Sequence, residues 1–231
     1  MPNNNYLRYT AFHYVQLLLA NMPLIYVHFL AFFVVWSVCR YLFLDGLLFF
    51  RHRVGVKWFY FYIFVLLALM VLVSLFISIS FYQDRILFMR NDFIFLAGVL
   101  LVPVRAVFIL ILALLCSAVK LGELQLDVPF FQRFIDMLIY GLVGVLVRKS
   151  LNVDLQNMVW SDFWFIAVNK LLASVCSAGV FAIFFSDTWN LFFDVLVLRV
   201  LGWPVVSLPL LVGFIYCVQM DWREYRQQIP V

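Results

Sequence analysis

Charge is scarce in this chain. Asp, Glu, Lys and Arg make up 12% of its 231 residues, against about 25% in a soluble globular domain. There is too little polar side chain to coat a globule in water. Glycine and proline are few as well, at nine and seven. No Pro-, Gly- or Ser-rich stretch divides the sequence, so residues 1–231 read as a single domain. Three histidines, His13, His28 and His52, form no metal or haem pattern. His13 and His28 would stand about 22 Å apart along one helix. Cys39, Cys116, Cys176 and Cys217 fall in or beside apolar runs at spacings that fit neither zinc nor a disulfide framework. They read as small buried apolar residues. No nucleophile elbow, phosphate-binding loop, catalytic carboxylate pair or HExxH motif is present. No basic patch interleaves with aromatics. The sequence therefore predicts no enzyme, no cofactor, no metal and no nucleic-acid contact.

What remains is apolar. Hydrophobic residues account for 67% of the chain, and the mean hydropathy is +1.05. Such a chain is expected in a lipid bilayer, where only helices or a closed barrel satisfy every backbone polar group. A barrel would alternate apolar and polar residues. Here the runs are apolar all round for 18 residues or more. The expected fold class is all-α: a polytopic transmembrane helical bundle of six to seven hydrophobic segments. The segments read as 22–41, 58–81, 93–121, 130–147, 163–185 and 191–218, the last interrupted by Gly202-Trp203-Pro204. The opening "MPNNNYLRYTAFHYVQ" has one Arg and no cleavage site before a long apolar run, so it does not read as a secretory signal.

Segment 93–121, "FIFLAGVLLVPVRAVFILILALLCSAVKL", is too long for one crossing and short for two. A straight helix of this length spans about 43 Å, against a hydrocarbon core of about 30 Å. Loop charge discriminates between the two. As one crossing, Arg8, Arg85, Arg90, Arg148, Lys149, Arg223 and Arg226 face Arg40, Arg51, Arg53, Lys57 and Lys120 across the membrane. That is hardly a bias. As a hairpin turning at Pro103, Arg40, Arg51, Arg53, Lys57, Arg148, Lys149, Arg223 and Arg226 lie together, with Arg105 nearby. Only Arg8, Arg85, Arg90 and Lys120 oppose them. The sharper asymmetry favours a short or re-entrant hairpin at 93–121. The N-terminus is then outside and the C-terminus cytoplasmic.

Charges inside or beside the spans are expensive, about 3 kcal/mol each at mid-helix. Arg90, Asp92, Arg133, Asp136, Lys170, Asp194 and Arg199 are therefore candidate ligand-binding residues, converging on an outward-facing polar site that suits a small anion. Pairing at helix ends is the plainer alternative at even weight. Lys170 and Arg199 lie deepest. Arg51, Arg53, Lys57, Arg148, Lys149, Arg223 and Arg226 are candidate contacts for a cytoplasmic partner. Gly141 and Gly144, and the pairs Ala173/Ser177 and Ser174/Ala178, have the spacing of close helix packing. Internal packing is favoured there over a dimer face. Trp58, Trp160, Trp164 and Trp189 sit near span edges, as in an interfacial aromatic belt.

The run "RNDFIFLAGVLLVP", a second apolar arm, and then "DVPFFQRFIDMLIYGLVGVLVRK" resemble the five-transmembrane receptor domain of LytS-type bacterial sensors. Arg90, Gly98 and Pro103 match that family in order and spacing, and "LVLRVLGWPVVSLPLLVGFIYCVQ" resembles its closing helix. The resemblance runs from about residue 58 onward. It implies an inner-membrane sensor module whose last helix relays an outer-side signal to a cytoplasmic partner. Two other readings stand beside it. One is a non-enzymatic scaffold that homo-oligomerises, or an anchoring subunit, in an envelope or defence complex. The other is a substrate-binding transporter component. A cysteine placed at position 104 should be labelled by an impermeant thiol reagent only from the cytoplasmic side. Labelling from outside alone would overturn the hairpin topology.

Overall fold

The computed structural model describes residues 19–45, 56–76, 79–81, 85–87, 90–121, 128–151, 158–185 and 202–228, with single positions at 12, 15, 16, 196, 197, 199 and 200. Helix α1 spans Met22–Arg40 and passes into a π-helical turn at Tyr41–Asp45. Helix α2 is Val56–Phe76. A small antiparallel hairpin follows, β1 (Ile79–Phe81) with β2 (Arg85–Leu87). Then come α3 (Arg90–Leu100), α4 (Pro103–Leu121), α5 (Val128–Leu151) and α6 (Trp160–Phe185). A second π-helical turn, Trp203–Ser207, leads into α7 (Leu208–Gln228). The fold is helical, and among the described residues four helices are long and apolar enough to cross a membrane: Ile25–Leu44, Val56–Ser74, Trp160–Val180 and Trp203–Gln227. This is compatible with a membrane protein.

Local chemistry sets the helix ends. Pro23 occupies the first turn of α1 behind Asn21, where a missing N–H costs nothing. The Val159 N–H donates to Asp162 Oδ2 at 3.0 Å, tying the first turn of α6 to its own cap. Arg148 and Lys149 end α5, complementing its negative pole. Two boundaries differ from the sequence expectation. The second helix ends at Phe76, and Ile79–Phe81, expected as its continuation, is a strand, where β-branched Ile79 suits extended backbone. The last segment continues to Gln228 rather than 218. Its charged end is amphipathic and packs one face inward.

The break at Leu101–Val102 has a direct cause. Pro103 disfavours helical backbone at Val102 and itself starts a new helix. Leu101 N–H still bonds Ala97 O at 2.9 Å, whereas the Val102 carbonyl accepts from Arg105 and Ala106 and caps α4. The path of the chain beyond it follows from contacts. Asn91 meets Asp136, Ile94 lies against Gly141, and Gly98 lies against Gly144 and Val145. Numbers rise together, so α3 and α5 run parallel. Suppose α4 continued in the direction of α3. Leu121 would lie about 45 Å beyond Arg90, and Val128 about 12 Å on the other side of it. Residues 122–127 reach no more than about 25 Å. The chain must therefore reverse at Leu101–Val102, with α4 returning alongside α3.

The other directions follow in the same way. Helix α1 runs parallel to α7, with Phe32 on Phe214 and Arg40 on Glu224. Helix α2 runs against α7, with Phe59 on Tyr225 and Tyr62 on Asp221. Helix α6 runs against α5, with Asp136 on Ser177 and Tyr140 on Ser174. It also runs against the last segment, where Arg199 meets Ser174 and Ser207 meets Lys170. The end of α1, the start of α2, the α3–α4 turn, the end of α5, the start of α6 and the end of α7 thus share one end of the bundle, here the lower end.

Helix α3 is the centre. Its eleven residues are all buried, enclosed by α2, α4, α5 and α7. The closest approach is α3 to α5. A Cβ on Gly98 would sit 2.7 Å from Gly141 O and 2.9 Å from Gly144 Cα. A Cβ on Gly144 would collide with the Phe95 carbonyl. Backbones touch only where side chains are absent. Gly98→Ala or Gly144→Ala should therefore lower the thermal unfolding midpoint in mild detergent, at a cost of about 1–3 kcal/mol from overpacking. Gly179→Ala, whose Cβ would meet nothing within 4 Å, should not. Equal midpoints for all three variants would contradict the tight crossing.

Candidate functional site

Three helices and the last segment bring their polar residues to one level. Asn91 and Asp92 lie in the first turn of α3. Asp136 and Tyr140 are one turn apart on α5. Lys170, Ser174 and Ser177 form a stripe at i, i+4 and i+7 on α6. Arg199 and Ser207 flank the Gly202–Pro204 region. Lys170 is ten residues into α6, or about 15 Å along its axis, which is half the thickness of a hydrocarbon core of about 30 Å.

Two ion pairs form there. Lys170 Nζ lies 2.6 Å from Asp92 Oδ1 and donates to Ser207 Oγ at 2.5 Å. Ser207 Oγ in turn donates to Asp92 Oδ2 at 3.3 Å. The ammonium also stands 5.7 Å from the centre of the Tyr140 ring, close enough for cation–π attraction. Arg199 Nη2 lies 3.0 Å from Asp136 Oδ1. Asp136 further accepts from Ser177 and, at 2.7 Å, from Asn91 Nδ2. Ser174 joins the two pairs. Its hydroxyl accepts from Tyr140 at 2.9 Å and donates to the Lys170 carbonyl at 3.2 Å, while its own carbonyl accepts from Arg199 at 3.3 Å. Arg90 is buried beside this network, within electrostatic reach of Asp136.

The candidate residues Arg90, Asp92, Asp136, Lys170 and Arg199 are thus brought together, and both carboxylates meet a cation. The Arg133 side chain and Asp194 lie outside the described residues. Asn169, next to Lys170, turns away and donates to Phe165 O in its own helix. Sequence reasoning missed Asn91, Tyr140 and Ser207, and read Ser174 and Ser177 as packing residues. The i, i+4, i+7 stripe of Lys170, Ser174 and Ser177 was the available signal.

A second polar cluster stands at the lower end. Asp221 is buried on α7 and accepts from Tyr62 Oη at 2.7 Å and from Trp36 Nε1 at 2.9 Å. Arg40 Nη1 approaches it at 3.4 Å, while Arg40 Nη2 pairs with Glu224 at 2.6 Å. Trp222 is buried against Phe59, with ring centres 4.7 Å apart. The residues around the candidate partner contacts Arg223 and Arg226 extend α7 through Gln228, and their Asp221 and Trp222 face is closed by α1 and α2. The arginines at 223 and 226 remain exposed, as do Lys57 and Lys149. Arg148 is half-buried. Arg51 and Arg53 lie outside the described residues. The spacing Trp36/Arg40 against Asp221/Glu224 carried the signal for this cluster, but across 180 residues of sequence it cannot be paired by inspection.

No family model matches the chain, and comparison with curated proteins and with solved structures finds no match. Function must be read from the site itself. Removing one member of a buried ion pair costs about 3–5 kcal/mol, whereas replacing both can be neutral. Lys170→Met should therefore lower the unfolding midpoint sharply, and Asp92→Leu combined with Lys170→Met should recover most of the loss. A double variant no better than the single one would show that the two residues are not energetically paired.

Proposed function

We propose that the chain is a sensor module of a bacterial inner membrane. The proposal includes six to seven membrane segments, with α3 and α4 as a re-entrant hairpin, the N-terminus outside and the lower end cytoplasmic. The observation that carries it is the bridge made by Lys170. It joins Asp92, on the first arm of the hairpin, to Ser207, at the head of the last helix. Charge is kept at that depth only where something repays its desolvation. A bridge between a mobile hairpin and an output helix is one such role. An outer-side ligand that bound Lys170 or Asp92 better in one arrangement than the other would shift the population of hairpin positions. Helix α7 would carry that shift to its lower end, where a cytoplasmic protein could respond. The π-helical turn at Trp203–Ser207 and Pro204 supply a place for α7 to hinge, since such turns often mark functional sites. The resemblance to LytS-type receptors points the same way.

One observation favours a scaffold instead. Asp92 and Asp136 are each compensated inside the protein, and α7 is tied at both its head and its foot, as a rigid anchor would be. Spin labels at positions 104 and 227, in a background cleared of native cysteines, separate the two. A sensor should show a new interlabel distance in Lys170→Gln, and a smaller change in Ser207→Ala, which severs the link without stranding a charge. A single unchanged distance distribution in both variants would favour the scaffold and reject the sensor.

A further inference from the structure

The lower end of the bundle carries an uneven charge. Lys57 on α2, Arg105 on α4, Arg148 and Lys149 on α5, and Arg223 on α7 have no ion-pair partner among the described residues. Among the described side chains, the acids of that end are already engaged. Asp221 is buried among Tyr62, Trp36 and Arg40, Glu224 is held by Arg40, and Asp162 by the cap of α6. Among the described residues, five cations without an acidic partner therefore lie toward the lower end. They lie on four different helices, spread around the bundle rather than gathered in one patch. Trp58 and the exposed Trp160 mark the same end, each in the first turn or so of its helix. Exposed apolar side chains follow directly above them, notably Phe108 and Ile111 on α4 and Leu142 and Leu146 on α5.

We infer that this ring binds the phosphate headgroups of anionic phospholipids. A ring of cations and tryptophans beneath a lipid-facing apolar wall is complementary to a headgroup layer, whose anionic charge attracts each nearby Lys or Arg. A docked acidic protein would need its cations on one side. The inference requires only that the lower end meets a headgroup layer. It does not require the chain to be a sensor, so an unchanged spin-label distance would leave it standing.

The test uses the full chain in nanodiscs made from an equal mixture of phosphatidylcholine and phosphatidylglycerol. Native mass spectrometry then counts the lipids retained after mild release. Phosphatidylglycerol should be enriched over phosphatidylcholine. Arg223→Gln alone should reduce that preference up to about fivefold, and Lys57→Gln, Arg148→Gln, Lys149→Gln and Arg223→Gln together should bring it close to parity. Exchanging each of these Lys for Arg and Arg for Lys should preserve it. No enrichment in the native chain would overturn the inference and leave an acidic protein as the alternative occupant. An enrichment untouched by both charge-removing variants would also overturn it. So would displacement of the retained lipid by dilute inorganic phosphate, because the site would then be one for free anions.

Discussion

A charge placed in an apolar interior must find its counter-charge, and the geometry of this bundle is organised around that requirement. Lys170 and Asp92 come from helices α6 and α3, which are far apart in sequence, and neither could be buried alone without a cost of several kcal/mol. Their 2.6 Å contact fixes the depth of the hairpin arm against α6. Ser207 adds the head of α7 to the same point, and Arg199 with Asp136 fixes α5. The polar residues are few, yet they set the register of elements whose other surfaces are interchangeable leucine, valine and phenylalanine.

The pair can form only because α3 is short and enters the middle of the bundle. Pro103 ends it, the chain reverses, and α4 runs back out. With all of α3 enclosed, its approach to α5 is limited by backbone rather than side chain, which is why Gly98 and Gly144 face each other. Close packing and ion pairing support one another here. The glycine contact holds α3 against α5 at the height where Asn91 reaches Asp136, and the carboxylates hold the start of α3 in the polar layer.

Helix α7 connects this centre to the lower end. Its head is held through Ser207 and its foot through Asp221 and Glu224, with Phe214 between Phe32 and Phe93. An element tied at two points and preceded by a π-helical turn can respond to one tie while held by the other. The reading as a sensor rests on that arrangement. Lys57, Arg105, Arg148, Lys149 and Arg223 stand toward that same lower end.

The sequence determined the helical class and the apolar spans compatible with a membrane, because scarcity of charge and long apolar runs permit few other solutions. It also located the break at Pro103 and singled out Lys170 and Arg199, since proline chemistry and misplaced charge are local signals. What only the tertiary structure decided was partnership. Lys170 with Asp92, Arg199 with Asp136, and Arg40 with Asp221 and Glu224 join residues separated by dozens of positions or more, and nothing local pairs them. Ser174, Ser207 and Tyr140 are ordinary in sequence and acquire a role only from what folding sets beside them. The inward face of the last turns of α7, at Asp221 and Trp222, was hidden for the same reason. Their charges look solvated until Tyr62, Trp36 and Arg40 arrive to enclose Asp221, and a hydrogen bond or ion pair depends on distance in space rather than along the chain.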